Sequence, residues 1–164
     1  MAILVWLENN PLSTSVRESA LLYPTILMLH SVGMAILVGI NSMVALRLLG
    51  FAPRLPLAPM DKLFPVMWAG FWLNLATGLV LLAAAATKHL RDPVMIFKLA
   101  LITTAVLIIR RTRRTVFSGR RNEDTTPVRL STRLLAAASL SAWALAVTSG
   151  RLTAYEFFRF WNWK

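Results

Sequence analysis

The chain of 164 residues predicts an all-α integral membrane protein: a four-helix bundle with an N-terminal interfacial helix and an aromatic C-terminal tail. Three observations predict it. Residues 21–46, 64–86, 93–109 and 134–155 are apolar stretches at or near the length of about 20 residues that carries a helix across the hydrocarbon core. They are continuously apolar and do not alternate, which selects helices over a barrel, the two solutions that satisfy a backbone in lipid. Arginines crowd one loop, as topogenic charges do. With 57% hydrophobic residues and mean hydropathy +0.60, the composition lies well above that of a soluble domain. The four spans and their short connections use almost all of residues 1–164, so a single transmembrane domain is expected.

The elements follow in order. Residues 1–19 form the interfacial segment, with Ile3, Leu4, Trp6 and Leu7 suited to the headgroup boundary. The apolar start, Met1–Leu7, is too short and lacks the basic beginning of a cleaved secretory signal, so no cleavage is expected. Asn10-Pro11 reads as a helix start, and Ser15…Glu18 matches a capping box that would open the first long helix outside the membrane. Pro24 would remove one hydrogen bond and bend the entry of that helix. Pro53, Pro56 and Pro59 stop it and space it from the second span. Asp92-Pro93 is an N-cap followed by a proline at the first helical position, which starts the third. In the fourth, Ala137/Ser141 and Ala138/Ala142 are small pairs that suit internal helix packing. The tail, residues 156–164 with Tyr155 before it, brings Tyr155, Phe157, Phe158, Phe160, Trp161 and Trp163 to the outer interface as an aromatic belt.

Charge fixes the expected orientation. The formal net charge is +11, but its placement speaks against nucleic acid as a partner. Arg110, Arg111, Arg113, Arg114, Arg120 and Arg121 abut the third span, and no interleaved aromatics or reader motif accompany them. Short loops rich in arginine and lysine stay cytoplasmic. That side would hold eleven basic residues, from Arg47 to Arg133, against six outside, among them Arg17, Lys88 and Arg151. Both termini are then periplasmic in a bacterial inner membrane, and the arginine cluster anchors the topology and attracts anionic lipid. The chain has no cysteine, which excludes disulfides, thiolate metal sites and cysteine nucleophiles.

Polar residues inside the spans carry whatever chemistry there is. At 100° per residue, Tyr23, His30, Met34 and Asn41 fall within about 40° of one another, with His30 roughly 15 Å below the outer surface. On the second span, Asn74 shares a face with Met67, Gly70, Thr77 and Gly78. Three readings stay open for His30. It binds haem b, with Gly33, Gly70 and Gly78 admitting the flat ring beside Met34 and Asn74. It binds copper with Met34 at i, i+4. Or it is hydrogen-bonded to Asn74, Asn41 or a backbone carbonyl and holds helices together. His89, the other histidine, lies about 15 Å from the depth of His30 and reads as a solvated loop residue, so two histidines would not share one iron. Lys98, about 8 Å into the third span, either snorkels outward or pairs with an acid. No carboxylate lies within a span, and the metalloprotease and phosphate-loop motifs are absent, so no catalytic residue is assigned.

Several short motifs carry a resemblance. Trp6-Leu7-Glu8, Pro11-Leu12-Ser13, Arg17-Glu18-Ser19, Tyr23-Pro24, Leu29-His30-Ser31-Val32-Gly33 and Leu46-Arg47-Leu48-Leu49-Gly50 resemble a family of small bacterial multi-pass proteins. Ala69-Gly70-Phe71, Thr77-Gly78 and Asp92-Pro93 with Phe97-Lys98-Leu99 continue it. That family is distantly similar to the membrane domain of the copper-resistance D proteins and, more loosely, to four-helix b-type cytochromes. Its pattern has an aspartate where this chain has Ala45, and often a histidine late in the third span where this chain runs Leu107-Ile108-Ile109. The expected function is a non-catalytic membrane subunit or anchor of a larger complex, an electron-transfer complex among them. The alternative is a haem- or copper-binding protein acting through His30, and a small-molecule transporter comes third. Lipid and other membrane subunits are the expected partners.

Overall fold

The computed structural model describes residues 2–90, 92–117 and 128–154, with the side chains of residues 2, 3, 89 and 152–154 left aside. All regular structure among them is helical. In chain order it comprises α1 (Ala2–Glu8), α2 (Pro11–Glu18), α3 (Leu22–Leu49), a 3-10 helix (Ala58–Leu63), α4 (Phe64–Ala84), α5 (Ala86–His89), α6 (Pro93–Phe117) and α7 (Leu130–Ala154). Four segments are long and apolar enough to cross a membrane: Leu22–Leu49, Ala58–Ala84, Pro93–Phe117 and Leu130–Arg151. The chain is therefore a multi-pass membrane protein with the spans in the expected order.

The boundaries differ in instructive ways. Asn10 caps α2, its side chain accepting from the Leu12 N–H at 3.1 Å. The Ser15…Glu18 box does not open α3, because Ser15 lies inside α2 and its carbonyl accepts the Ser19 N–H. Ser19 takes that part instead: its hydroxyl accepts from the N–H groups of Leu21 and Leu22, at 3.4 and 3.1 Å. Pro24 is the third residue of α3, within the turn whose amides have no intrahelical acceptor, so it removes no bond. At the other end Gly50, not a proline, stops α3. Its φ of +100° places it in the left-handed region, and the N–H groups of Gly50 and Phe51 turn back to the carbonyls of Arg47 and Leu46. That double closure is a Schellman motif. Helix α6 runs on to Phe117, so Arg110, Arg111, Arg113 and Arg114 lie on its last two turns rather than in a loop. Arg120, Arg121 and the aromatic tail from Tyr155 lie outside the described residues.

The chain folds as two compact units, Met1–Leu37 with Val66–Pro93, and Val38–Pro65 with Val94–Lys164. In the first, α3 lies against α4 at very short range. A Cβ on Gly33 would come 2.8 Å from the Asn74 backbone nitrogen and 2.9 Å from the Gly70 oxygen. Beside this pair, α1 packs on α5. The Glu8 carboxylate accepts the N–H of Thr87 at 3.0 Å and also its hydroxyl, while Arg17 pairs with Glu8 at 3.7 Å. Ser13 donates to the Leu7 carbonyl at 2.8 Å and closes the turn between α1 and α2.

In the second unit, Val44, Ala45 and Leu48 of α3, Met60 of the 3-10 helix and Ala136 of α7 form an apolar cluster, joined by Phe117 and Leu140. Phe64 meets Phe117 edge to face at 5.3 Å. Arg113 stacks 5.0 Å from the Phe64 ring centroid and bonds Asp61 at 3.3 Å, which ties α6 to the 3-10 helix. Arg47 is buried, 7% exposed, with its Nε donating to the Leu55 carbonyl at 2.5 Å. Ala45, where the resembled family has an aspartate, is thus a core residue with apolar neighbours.

Candidate functional site: an imidazole held between two helices

The first unit brings His30, Asn74 and Thr77 together. His30 stands about 12 Å along α3 from Leu22, at 1.5 Å per residue, inside the apolar span. Its Nδ1 lies 3.0 Å from the Asn74 carbonyl oxygen and 3.1 Å from Thr77 Oγ1. A carbonyl can only accept, so the bond to Asn74 is made by a ring whose Nδ1 carries a proton. Thr77 in turn donates its hydroxyl to the Leu73 carbonyl at 2.7 Å, which turns a lone pair toward the imidazole. Asn74 answers from the other side: its Nδ2 donates to the His30 carbonyl at 2.8 Å. Each helix therefore gives a side-chain donor to the other's backbone. This is the packing arrangement anticipated for His30, with Asn74 as its partner.

The glycines serve the same contact. Gly33 and Gly70 bring the backbones together: a Cβ on Gly70 would sit 2.8 Å from Ile36 and 3.0 Å from the Gly33 oxygen. Gly78 makes room for the imidazole, whose Cε1 would lie 3.0 Å from a Cβ there. The space beside Gly33 and Gly70 is taken by the facing helix, and that beside Gly78 by His30 itself. Met34, one turn beyond His30, is half-buried, and Met67 is fully buried. Tyr23, expected on the same stripe, is 46% exposed. His89 ends α5, and its side chain lies outside the described residues.

The second unit holds another polar contact, which sequence reading divided wrongly. Asn41 is 7% exposed and Ser139 3% exposed, and Ser139 donates to Asn41 Oδ1 at 3.0 Å. Asn41 thus bonds α7, not the imidazole. The buried face of α7 is Ala136, Ser139, Ala142, Trp143, Ala146 and Ser149. Of the small pairs expected to pack internally, Ala138 and Ser141 are exposed, so the packing stripe runs beside them. A count of burial turn by turn would have needed the partner helix to find it. Lys98 does not swing free on α6: its side chain lies along Gly150 of α7.

No family model, curated protein or solved structure matches this chain. The site must therefore be judged on its own geometry. Among the described residues no three His, Asp or Glu side chains gather at one point. The arrangement at His30 is a hydrogen-bonded contact between α3 and α4, of the kind that joins membrane helices.

Proposed function

We propose that the chain is a non-catalytic subunit or anchor of a larger membrane complex, an electron-transfer complex being the class considered first. In this reading its four spans form a bundle in a bacterial inner membrane, with both termini periplasmic and α1 and α2 at the outer interface. The observation that carries it is the use of the intramembrane polar groups. His30, Asn74 and Thr77 join α3 to α4, and Asn41 and Ser139 join α3 to α7. Polar side chains employed in helix contacts make a scaffold. Meanwhile the most apolar 18-residue stretch within Ala58–Ala84 has only 11% of its residues buried within the chain, against 39% for that of Leu22–Leu49, so that stretch leaves most of its residues partly or fully open to lipid or to other subunits. Purification in a mild detergent, read by mass spectrometry, tests this. Stoichiometric membrane subunits are expected to co-purify; a homogeneous chain with no companion from its native membrane would overturn the reading.

A second reading is favoured by the tautomer of His30. A backbone carbonyl that fixes Nδ1–H is the usual support for an imidazole that ligates through Nε2. Copper(I) suits this nitrogen together with the Met34 thioether. This reading keeps the likeness to the copper-resistance D membrane domain as a proposal. Stoichiometric copper that is lost in His30→Ala and altered in Met34→Leu would establish it. Copper retained unchanged in His30→Ala would end it.

A further inference from the structure

We propose that the contact between α3 and α7 binds an internal water molecule, which accepts from the Asn41 carboxamide and the Trp143 indole. Two donors that the chain itself leaves over point to it. Asn41 and Trp143 are 7% and 4% exposed, and Asn41 Nδ2 and Trp143 Nε1 are buried with no hydrogen-bond acceptor among the described residues. Both residues belong to the second compact unit. An amide or indole N–H shut away from solvent loses its hydration without return unless another acceptor replaces it, and buried donors are for that reason almost always paired.

The two donors flank one hydroxyl. Ser139 donates to Asn41 Oδ1 at 3.0 Å, which sets the carboxamide, Nδ2 included, against α7. Trp143 stands four residues beyond Ser139, about one turn along the same buried face. Helical side chains lean toward the N-terminus, so the indole reaches back over the turn that carries Ser139. The occupant has to accept from both N–H groups and has to be small, because Ala136, Ala142 and Ala146 on this face of α7 are themselves buried. Water meets both demands. Its oxygen accepts two hydrogen bonds, and one of its own protons finds an acceptor in Ser139 Oγ, whose lone pairs are not used by the bond that it donates. That gives about three partners, the usual number for a buried water.

Full-length 15N-labelled protein in detergent micelles, read by proton NMR with transfer from water in the rotating frame, tests the site. The Trp143 indole N–H and the Asn41 side-chain amide are expected to show cross-peaks at the water frequency with the sign of dipolar contact, the mark of a held molecule. Trp143→Phe keeps most of the ring and removes its donor, and it should lose most of the Asn41 cross-peak. Trp72→Phe, at an exposed ring on α4, should leave that cross-peak unchanged. Should Trp143→Phe fail to fold, the two wild-type cross-peaks decide. An Asn41 cross-peak of equal strength in Trp143→Phe overturns the shared water. Cross-peaks with the sign of chemical exchange alone, which bulk solvent would give, overturn it as well. So does a dry contact with no transfer to either group, the result expected if the carboxamide were turned over and accepted the indole N–H directly.

Discussion

At the residue scale, the contact between α3 and α4 turns on atoms that cannot yield. A methyl at Gly33 meets backbone on the facing helix at 2.8 and 2.9 Å, whereas one at Gly78 meets the edge of an imidazole at 3.0 Å. Backbone gives way only if the helices separate, while a side chain can turn. Gly33→Ala is therefore expected to cost about 1–3 kcal/mol, the range for overpacking a tight contact, and Gly78→Ala distinctly less. Reversible unfolding in mixed micelles measures both, and equal costs would contradict the backbone argument. Ser139 is a second case. In Ser139→Ala the buried Asn41 Oδ1 loses its donor, at an expected cost of about 0.6 kcal/mol and up to about 1.7, as found for hydrogen bonds between membrane helices. Pairing this variant with Asn41→Leu in a double-mutant cycle isolates the bond, and additive losses would show that it contributes nothing.

At the scale of elements, α1 is held by charge. The Thr87 hydroxyl and N–H, both donating to the Glu8 carboxylate, hold its carboxyl below the ordinary glutamate range, and the nearby Arg17 acts in the same direction. A carboxyl whose value is lowered in the folded state stabilises while it is ionised. The contribution is complete above the ordinary glutamate value of about 4.3 and is lost as pH falls through the lowered one. The protection of the amides of residues 2–8, exchange rate taken relative to the intrinsic rate at the same pH, should therefore be constant from neutral pH down to about 5 and fall only below about 4.3. Glu8→Gln should lower it at neutral pH, and the difference from wild type should shrink as Glu8 becomes protonated. A transition near neutrality would point to some other group. The helix ends obey similar local chemistry: Gly50→Ala, at a φ of +100°, is expected to destabilise the end of α3 by about 1 kcal/mol, as thermal unfolding would record.

For the whole molecule the governing term is orientation in the bilayer. Helix α6 carries Arg110, Arg111, Arg113 and Arg114 at one end, and in the proposed topology, which follows the rule that basic residues near a span stay inside, that end is cytoplasmic. Single cysteines replacing Ser118 and Asn162 should then label oppositely with an impermeant thiol reagent in intact spheroplasts, the first protected and the second accessible. The reverse pattern would invert the proposed topology.

The sequence by itself determined that there are four spans, their order and their chemistry, because a bilayer demands long, continuously apolar helices and that demand is written in composition alone. It also determined that His30 and Asn74 belong to inward faces, since polar groups avoid lipid. What only the tertiary structure decided is which partner each inward group meets. Helical periodicity set Asn41 on the stripe of His30, yet one bonds Ser139 of α7 and the other Asn74 of α4. Gly33 and Gly70 face the backbone and side chain of the neighbouring helix, and an absent side chain reveals a gap in the sequence without naming what lies against it. The start of α3 was misplaced for a related reason. Ser15 and Ser19 are both competent caps, and the choice between them depends on how α1 and α2 fold back through Ser13 and Leu7, a contact that no local pattern records.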